Sequence, residues 1–169
     1  MPELVRRERL QPSLLDRLTD DAPEHRRESL DGQTLTMTQL RQAVLRDIAW
    51  LLNTTNLAAS EELDGFPKVE ASALNFGIPG FAGLSGAGAR AATLEGAIAE
   101  AIKRFEPRIR PQTLRVRARE GGGSHEVPTL VFDISGELWA QPVPQQLFLE
   151  TSIDLETRLA VVTDAKARG

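Results

Sequence analysis

The chain is 169 residues long, with 24 acidic against 20 basic side chains for a net charge of −4, and it has no cysteine. That length fits one domain that buries most of its apolar surface without a staple. The missing thiols exclude disulfides, thiolate metal sites and a cysteine nucleophile, and the acidic balance argues against a nucleic-acid binder. The histidines, His25 and His125, stand in polar, loop-like sequence and give a metal site or a Ser-His-Asp triad little to build on. No apolar run approaches a membrane span. Glu3, Arg6, Arg7, Glu8 and Arg9 leave no room for a signal-peptide core, so the expected location is the cytoplasm, without membrane insertion.

The N-terminal stretch predicts a short amphipathic helix. Ser13 opens a capping box with Asp16, and Leu14, Leu15 and Leu18 follow. One or two turns do not hold alone, so this arm is expected to dock, on its own domain or on a partner. Asp20 to Thr36 is polar and reads as a linker. A long helix is predicted from about Thr38 to Asn53, with Leu40, Val44, Ile48, Leu51 and Leu52 on one stripe. Arg41 falls inside that stripe with no evident reason. Trp50 falls off it, beside Arg46 and Asn53, which fits either a helix buried on two sides or an indole set out as a contact surface.

Thr54 to Lys68 predicts a connection, and Val69 to Phe76 a short extended segment. The Gly/Ala-rich stretch that follows, Gly80 to Ala92, matches neither a P-loop nor a dinucleotide fingerprint and predicts a surface loop. A second helix is expected from Thr93 as N-cap, with Glu95 in its first turn, Leu94, Ile98, Ala101 and Phe105 buried, and Glu100 paired with Arg104. Pro107 ends it by disfavouring helix at Glu106.

From Leu114 the period changes to two. Leu114, Val116 and Ala118 alternate with Arg115, Arg117 and Arg119. After Gly121, Gly122 and Gly123, Leu130, Phe132, Ile134 and Leu138 point inward. Beyond Pro142 and Pro144, a third strand turns Leu147, Leu149, Ile153 and Leu155 inward, and Leu159 to Val162 forms a short last strand. This is an α+β domain: two main helices packed on an antiparallel sheet of about four strands, with an N-terminal arm. Residues 1–36 read as arm and linker, 37–163 as the domain and 164–169 as a tail. Val161 lies in the last strand, an edge with backbone groups free to pair with another chain.

The row Arg115, Arg117, Arg119 faces Asp133, Glu137, Glu150 and Asp154 on the outer side of the sheet. Cross-strand ion pairing accounts for it without a ligand. A glycosidase needs two cooperating carboxylates, and the Glu…Asp…Thr spacing of phage-type lysozymes occurs nowhere in the chain. Glu106 has Arg108 as companion rather than a second acid. In Glu106-Pro107-Arg108 the proline is expected to hold the backbone extended with both charges on one side. That arrangement serves an internal ion pair locking helix to sheet, or a rigid pair shown to a partner through the planar arginine fork, or both.

Several segments together resemble one family. RDIAWLLNT (Arg46 to Thr54) resembles the first-helix motif of TssE, a baseplate subunit family of type VI secretion systems. SALNFGIP (Ser72 to Pro79), FEPRI (Phe105 to Ile109), LWAQPVP (Leu138 to Pro144) and SIDLET (Ser152 to Thr157) resemble its later motifs, and RLQPSLLDRL (Arg9 to Leu18) its N-terminal arm. The family is similar to the lysozyme-named wedge protein of contractile-phage baseplates. The Gly/Ala-rich stretch is the main departure. The resemblance implies a structural baseplate subunit, with no enzyme activity and no cofactor. It implies contact with TssF, TssG and TssK and the VgrG hub, and a part in starting the TssB–TssC sheath. It implies that Glu106, Pro107 and Arg108 hold the wedge core. Trp50, Leu14, Leu15, Leu18 and Val161 complete the expected partner-binding set. The alternative is a peptidoglycan hydrolase.

Overall fold

The computed structural model describes residues 36–80, 87–119, 129–139 and 144–165, together with Ser13, Asp16, Leu18 and Glu24. Helix α1 (Met37–Leu52) starts at a complete capping box. The Gln39 N–H donates to Thr36 Oγ1 at 3.2 Å, and the Thr36 N–H donates to Gln39 Oε1 at 2.8 Å. Such a cap stabilises the helix start by about 1 kcal/mol. Leu40, Val44, Ile48, Leu51 and Leu52 are all buried, as the stripe predicts. Arg41 has a clear role. Its guanidinium holds the Asp164 carboxylate through Nε and through Nη2 at 2.7 Å, and Nη1 donates to the Gln146 carbonyl at 3.0 Å. The charge therefore snorkels to the rim of the sheet while its stem lies along the core.

The segment after α1 departs from expectation. Val69 to Phe76 is not extended: Pro67–Glu70 forms a helical turn, α2, and Ala73–Asn75 a 3-10 turn, as does Leu57–Ala59 before them. Pro67 sits at the first helical position, where its fixed φ favours a turn. Buried Asn75 supplies the bonds that a sheet would otherwise give. It accepts from the Ala58 N–H at 2.9 Å and donates to the Glu70 carbonyl at 3.0 Å. Gly77 follows at φ +123, where a Cβ would stand 2.3 Å from the Thr54 carbonyl oxygen. The close approach lets Ile78 bridge Thr55, with the Ile78 N–H on Thr54 O at 2.9 Å and the Asn56 N–H on Ile78 O at 3.1 Å.

Helix α3 (Ala87–Phe105) begins earlier than expected, so Thr93 lies inside it rather than capping it. Ala87, Ala89, Ala91 and Ala92 are strong helix formers and carry the helix through Gly88 into a stretch read as loop. Glu95 is consequently not a first-turn residue. Its carboxylate accepts the Ala118 N–H at 2.9 Å. Glu100 pairs with Lys103 at 2.7 Å rather than with Arg104, which donates to the Glu70 carbonyl at 2.9 Å. Leu94, Ile98, Ala101 and also Ile102 are buried, and Phe105 meets Phe76 edge to face at 5.2 Å.

The four strands form an antiparallel meander in the order β1 (Arg115–Ala118), β2 (Thr129–Leu138), β3 (Gln145–Asp154), β4 (Ala160–Asp164). The inner face carries Val116, Phe132, Ile134, Leu138, Leu147, Leu149, Ile153 and Ala160 against both long helices. The molecule is α+β, as the periodicities indicate. Leu155, expected inward, lies in the turn after β3, because the alternation ends at Ile153. Thr151 takes an inward place instead. It is fully buried, and among the described residues its hydroxyl has no partner. The last strand runs one residue later than predicted at its start, leaving Leu159 exposed. On the outer face Arg119 holds Asp133, and Glu150 at 2.8 Å, the cross-strand pairing expected there.

Candidate partner-binding site

Glu106, Pro107 and Arg108 form a β-turn rather than an extended segment. The Ile109 N–H closes it on the Glu106 carbonyl at 3.2 Å, and proline at the second position presets its φ for such a turn. Both charges still fall on one side. Glu106 is 3% exposed, and Arg108 grips it in parallel, Nε on Oε1 at 2.7 Å and Nη2 on Oε2 at 2.5 Å. The Arg108 N–H adds a bond to Oε1 at 3.1 Å. The main chain is stitched to β2: the Trp139 N–H meets the Arg108 carbonyl at 2.7 Å, and the Arg110 N–H meets the Glu137 carbonyl at 2.9 Å. The backbone of the turn is thus fixed to the sheet, while its charges reach toward α1.

On α1 they find Asp47, whose carboxylate accepts from Arg108 Nη2 at 2.5 Å. Asp47 also accepts from Arg46 Nε at 2.9 Å, and Arg46 Nη1 meets Asp16 of the arm at 2.7 Å. Five alternating charges therefore run from the arm across α1 to the buried turn. Burial opposes the Arg108 charge, but the bonds to Glu106 and then Asp47 outweigh it and raise the Arg108 pKa above its ordinary value. One nitrogen, Arg108 Nη1, is buried without a partner among the described residues. Burial also works against ionised Asp16, yet the Ser13 hydroxyl and the Arg46 guanidinium hold its carboxyl below the usual value. The Arg46 guanidinium lies 5.0 Å from the centre of the Trp50 ring. Trp50 is 50% exposed, so α1 is not buried on two sides.

The sheet edges have a common device. In an antiparallel ladder, residues alternate between bonding their neighbour strand and pointing away from it. Ala160 points away from β3, because its N–H and C=O both bond the Asn53 side chain, at 2.9 and 2.8 Å. Val161 opposite Ser152 therefore bonds inward, and Val162 points out. The side chain of Val161 is exposed on the outer face, while the register turns the backbone groups of Val162 outward from the sheet, with no partner among the described residues. On the opposite edge, Ala118 likewise points away from β2, and its N–H is held by Glu95.

The structure thus sets Trp50 on the exposed side of α1, links Asp47 of that helix to Arg108 and the buried Glu106 and, through Arg46, to Asp16, and sets Val161 apart on the sheet. Leu18 is exposed; Leu14 and Leu15 lie outside the described residues. Sequence reasoning missed Asp47 and Asn53. Asp47 beside Arg46 was the available signal, whereas nothing local marks Asn53 as an edge residue. Among the described residues no acidic or histidine cluster could hold a metal, and no helix is long and apolar enough to cross a membrane. Residues 38–143, well over half the chain, match the family described as baseplate wedge protein gp25. That span holds Trp50, Asp47 and the Glu106–Arg108 turn but neither the arm nor β4. Comparison with curated proteins and with solved structures finds no match.

Proposed function

The chain belongs to the family of baseplate wedge protein gp25, a family of structural baseplate proteins, and we propose that this member is the TssE-type subunit of a type VI secretion baseplate. In this reading it works in the bacterial cytoplasm without catalysis. It binds TssF and TssG through the exposed side of α1 and the arm, and sits beside TssK and the VgrG hub. The TssB–TssC sheath starts from its β4 edge. The observation that carries the last step is the outward pair of backbone groups at Val162, next to an exposed Val161 side chain. Main-chain pairing at such an edge gives affinity with little demand on side chains.

The test is Val162→Pro, which removes the outward donor and leaves the bonds of Val161 and Thr163 to β3 in place. The variant is expected to co-purify with the wedge proteins while sheaths fail to form. Sheaths of normal number and length would sink the proposal. A hydrolase reading draws less support: the buried carboxylate among the described residues, Glu106, has both oxygens engaged by Arg108.

A further inference from the structure

Asn53 makes three side-chain bonds. Its Nδ2 donates to the Ala49 carbonyl at 2.7 Å and to the Ala160 carbonyl at 2.8 Å, and its Oδ1 accepts the Ala160 N–H at 2.9 Å. The first bond anchors the amide to the last turn of α1. The other two reproduce what a residue of an adjacent strand would offer Ala160: one donor and one acceptor, side by side. An asparagine amide carries both groups, whereas an aspartate carboxylate only accepts.

We infer that Asn53 guards the β4 edge against a second copy of this chain by standing in for a strand at Ala160. The longest symmetric antiparallel pairing of two β4 strands through their free edges would be centred on Val162, the middle residue of Ala160–Asp164. It would need Ala160 from both copies. With Ala160 occupied, that ladder loses a bonding pair at each end, and a two-stranded contact so short does not hold in water. Edge strands are commonly protected against self-pairing, by charges, bulges or covering elements; here one amide does it and leaves Val162 open. This inference rests on the reading of β4 as a docking edge, and it adds the limit of that edge: the longest self-pairing is blocked at Ala160 while the edge stays open from Val162 onward.

Sedimentation of the full chain, with no sheath protein present, is the test. Wild type is expected to stay monomeric as concentration rises, Asn53→Ala to self-associate, and Asn53→Ala with Val162→Pro to return to monomer. A folded Asn53→Ala that sediments as wild type, or a wild type that already pairs through β4, overturns the guard. If Asn53→Ala does not fold, hydrogen exchange on wild type decides. The Ala160 amide should exchange about tenfold or more slowly than that of Val162, and equal rates overturn the inference. Sheath assembly by Val162→Pro in an otherwise native chain would refute the docking reading while leaving the sedimentation result standing.

Discussion

Arg108 and Asp47 meet at 2.5 Å across 61 positions of the chain, and their contact joins the two long helices through a turn that is itself bonded to the sheet. The Glu106–Arg108 pair is therefore part of the fold's interior as well as a candidate contact. A locking role between helix and sheet, as the sequence suggested, describes only its backbone. Its side chains lock the turn to α1.

Arg108→Ala is expected to destabilise the isolated protein. It leaves Glu106 almost fully buried without its counter-ion, and an uncompensated buried charge costs about 3–5 kcal/mol. Urea unfolding followed by circular dichroism reads this directly. Glu106→Gln in the Arg108→Ala background should recover much of the loss, since a neutral amide needs no counter-ion. Full stability in Arg108→Ala would assign the arginine wholly to a partner.

Thr151→Val should stabilise. The hydroxyl is buried with no partner among the described residues, and valine keeps the shape without the unmet bond. A gain of about 1 kcal/mol is expected, seen as a higher melting temperature, with Thr151→Ser giving none. A lower melting temperature for the valine variant would mean that the hydroxyl has a bonding role.

Gly77→Ala should cost about 1–3 kcal/mol. The new Cβ at φ +123 would press on the Thr54 carbonyl and open the bridge between Thr55 and Ile78. The amides of Asn56 and Ile78 should exchange faster in that variant. Unchanged exchange would show that the segment relaxes freely.

The arm contact has a pH signature. In the folded protein the Asp16 carboxyl lies below its usual 3.8, so its contribution is present above that value and is lost as pH falls through the folded one. The contact is complete at neutral pH and released in acid. Its worth is about 1 kcal/mol or less, because solvent screens a pair whose Arg46 side chain is 36% exposed. Titration of the Asp16 carboxyl by NMR should show the depressed midpoint, and Arg46→Ala should move it back toward 3.8. A midpoint unmoved by that substitution would leave Ser13 as the sole cause.

What was legible in the sequence was whatever repeats along it. The stripe of α1, the alternation of the strands and the stop at Pro107 are local signals, and they placed the core. Thr93 has the chemistry of a cap, but the alanines before it begin the helix at Ala87. Arg41 had no account because its partner, Asp164, lies 123 positions away. Asn53 and Ala160 are 107 apart, so no spacing rule could join them. At Val161 the sequence located the edge but not its polarity, since which residue of a strand bonds outward depends on the register with its neighbour. The Glu106–Arg108 motif marks a centre in the sequence, but its counter-charge on α1 is set by helix packing and leaves no mark in the motif.

The contacts at the sheet edges have a mechanical consequence. Asn53 ties β4 to the end of α1, Arg41 ties it again near the helix start, and Glu95 ties β1 to α3. Each outer strand is thus fastened to a different helix, and Asp47 of α1 is bonded to Arg108 in the turn that follows α3. A pull applied along β4 does not have to travel strand by strand across the sheet. It has a second route, through Asn53 and Arg41 into α1 and on through Arg108 to the turn at Glu106, so the domain is expected to resist shear as a closed frame rather than as a stack of hairpins.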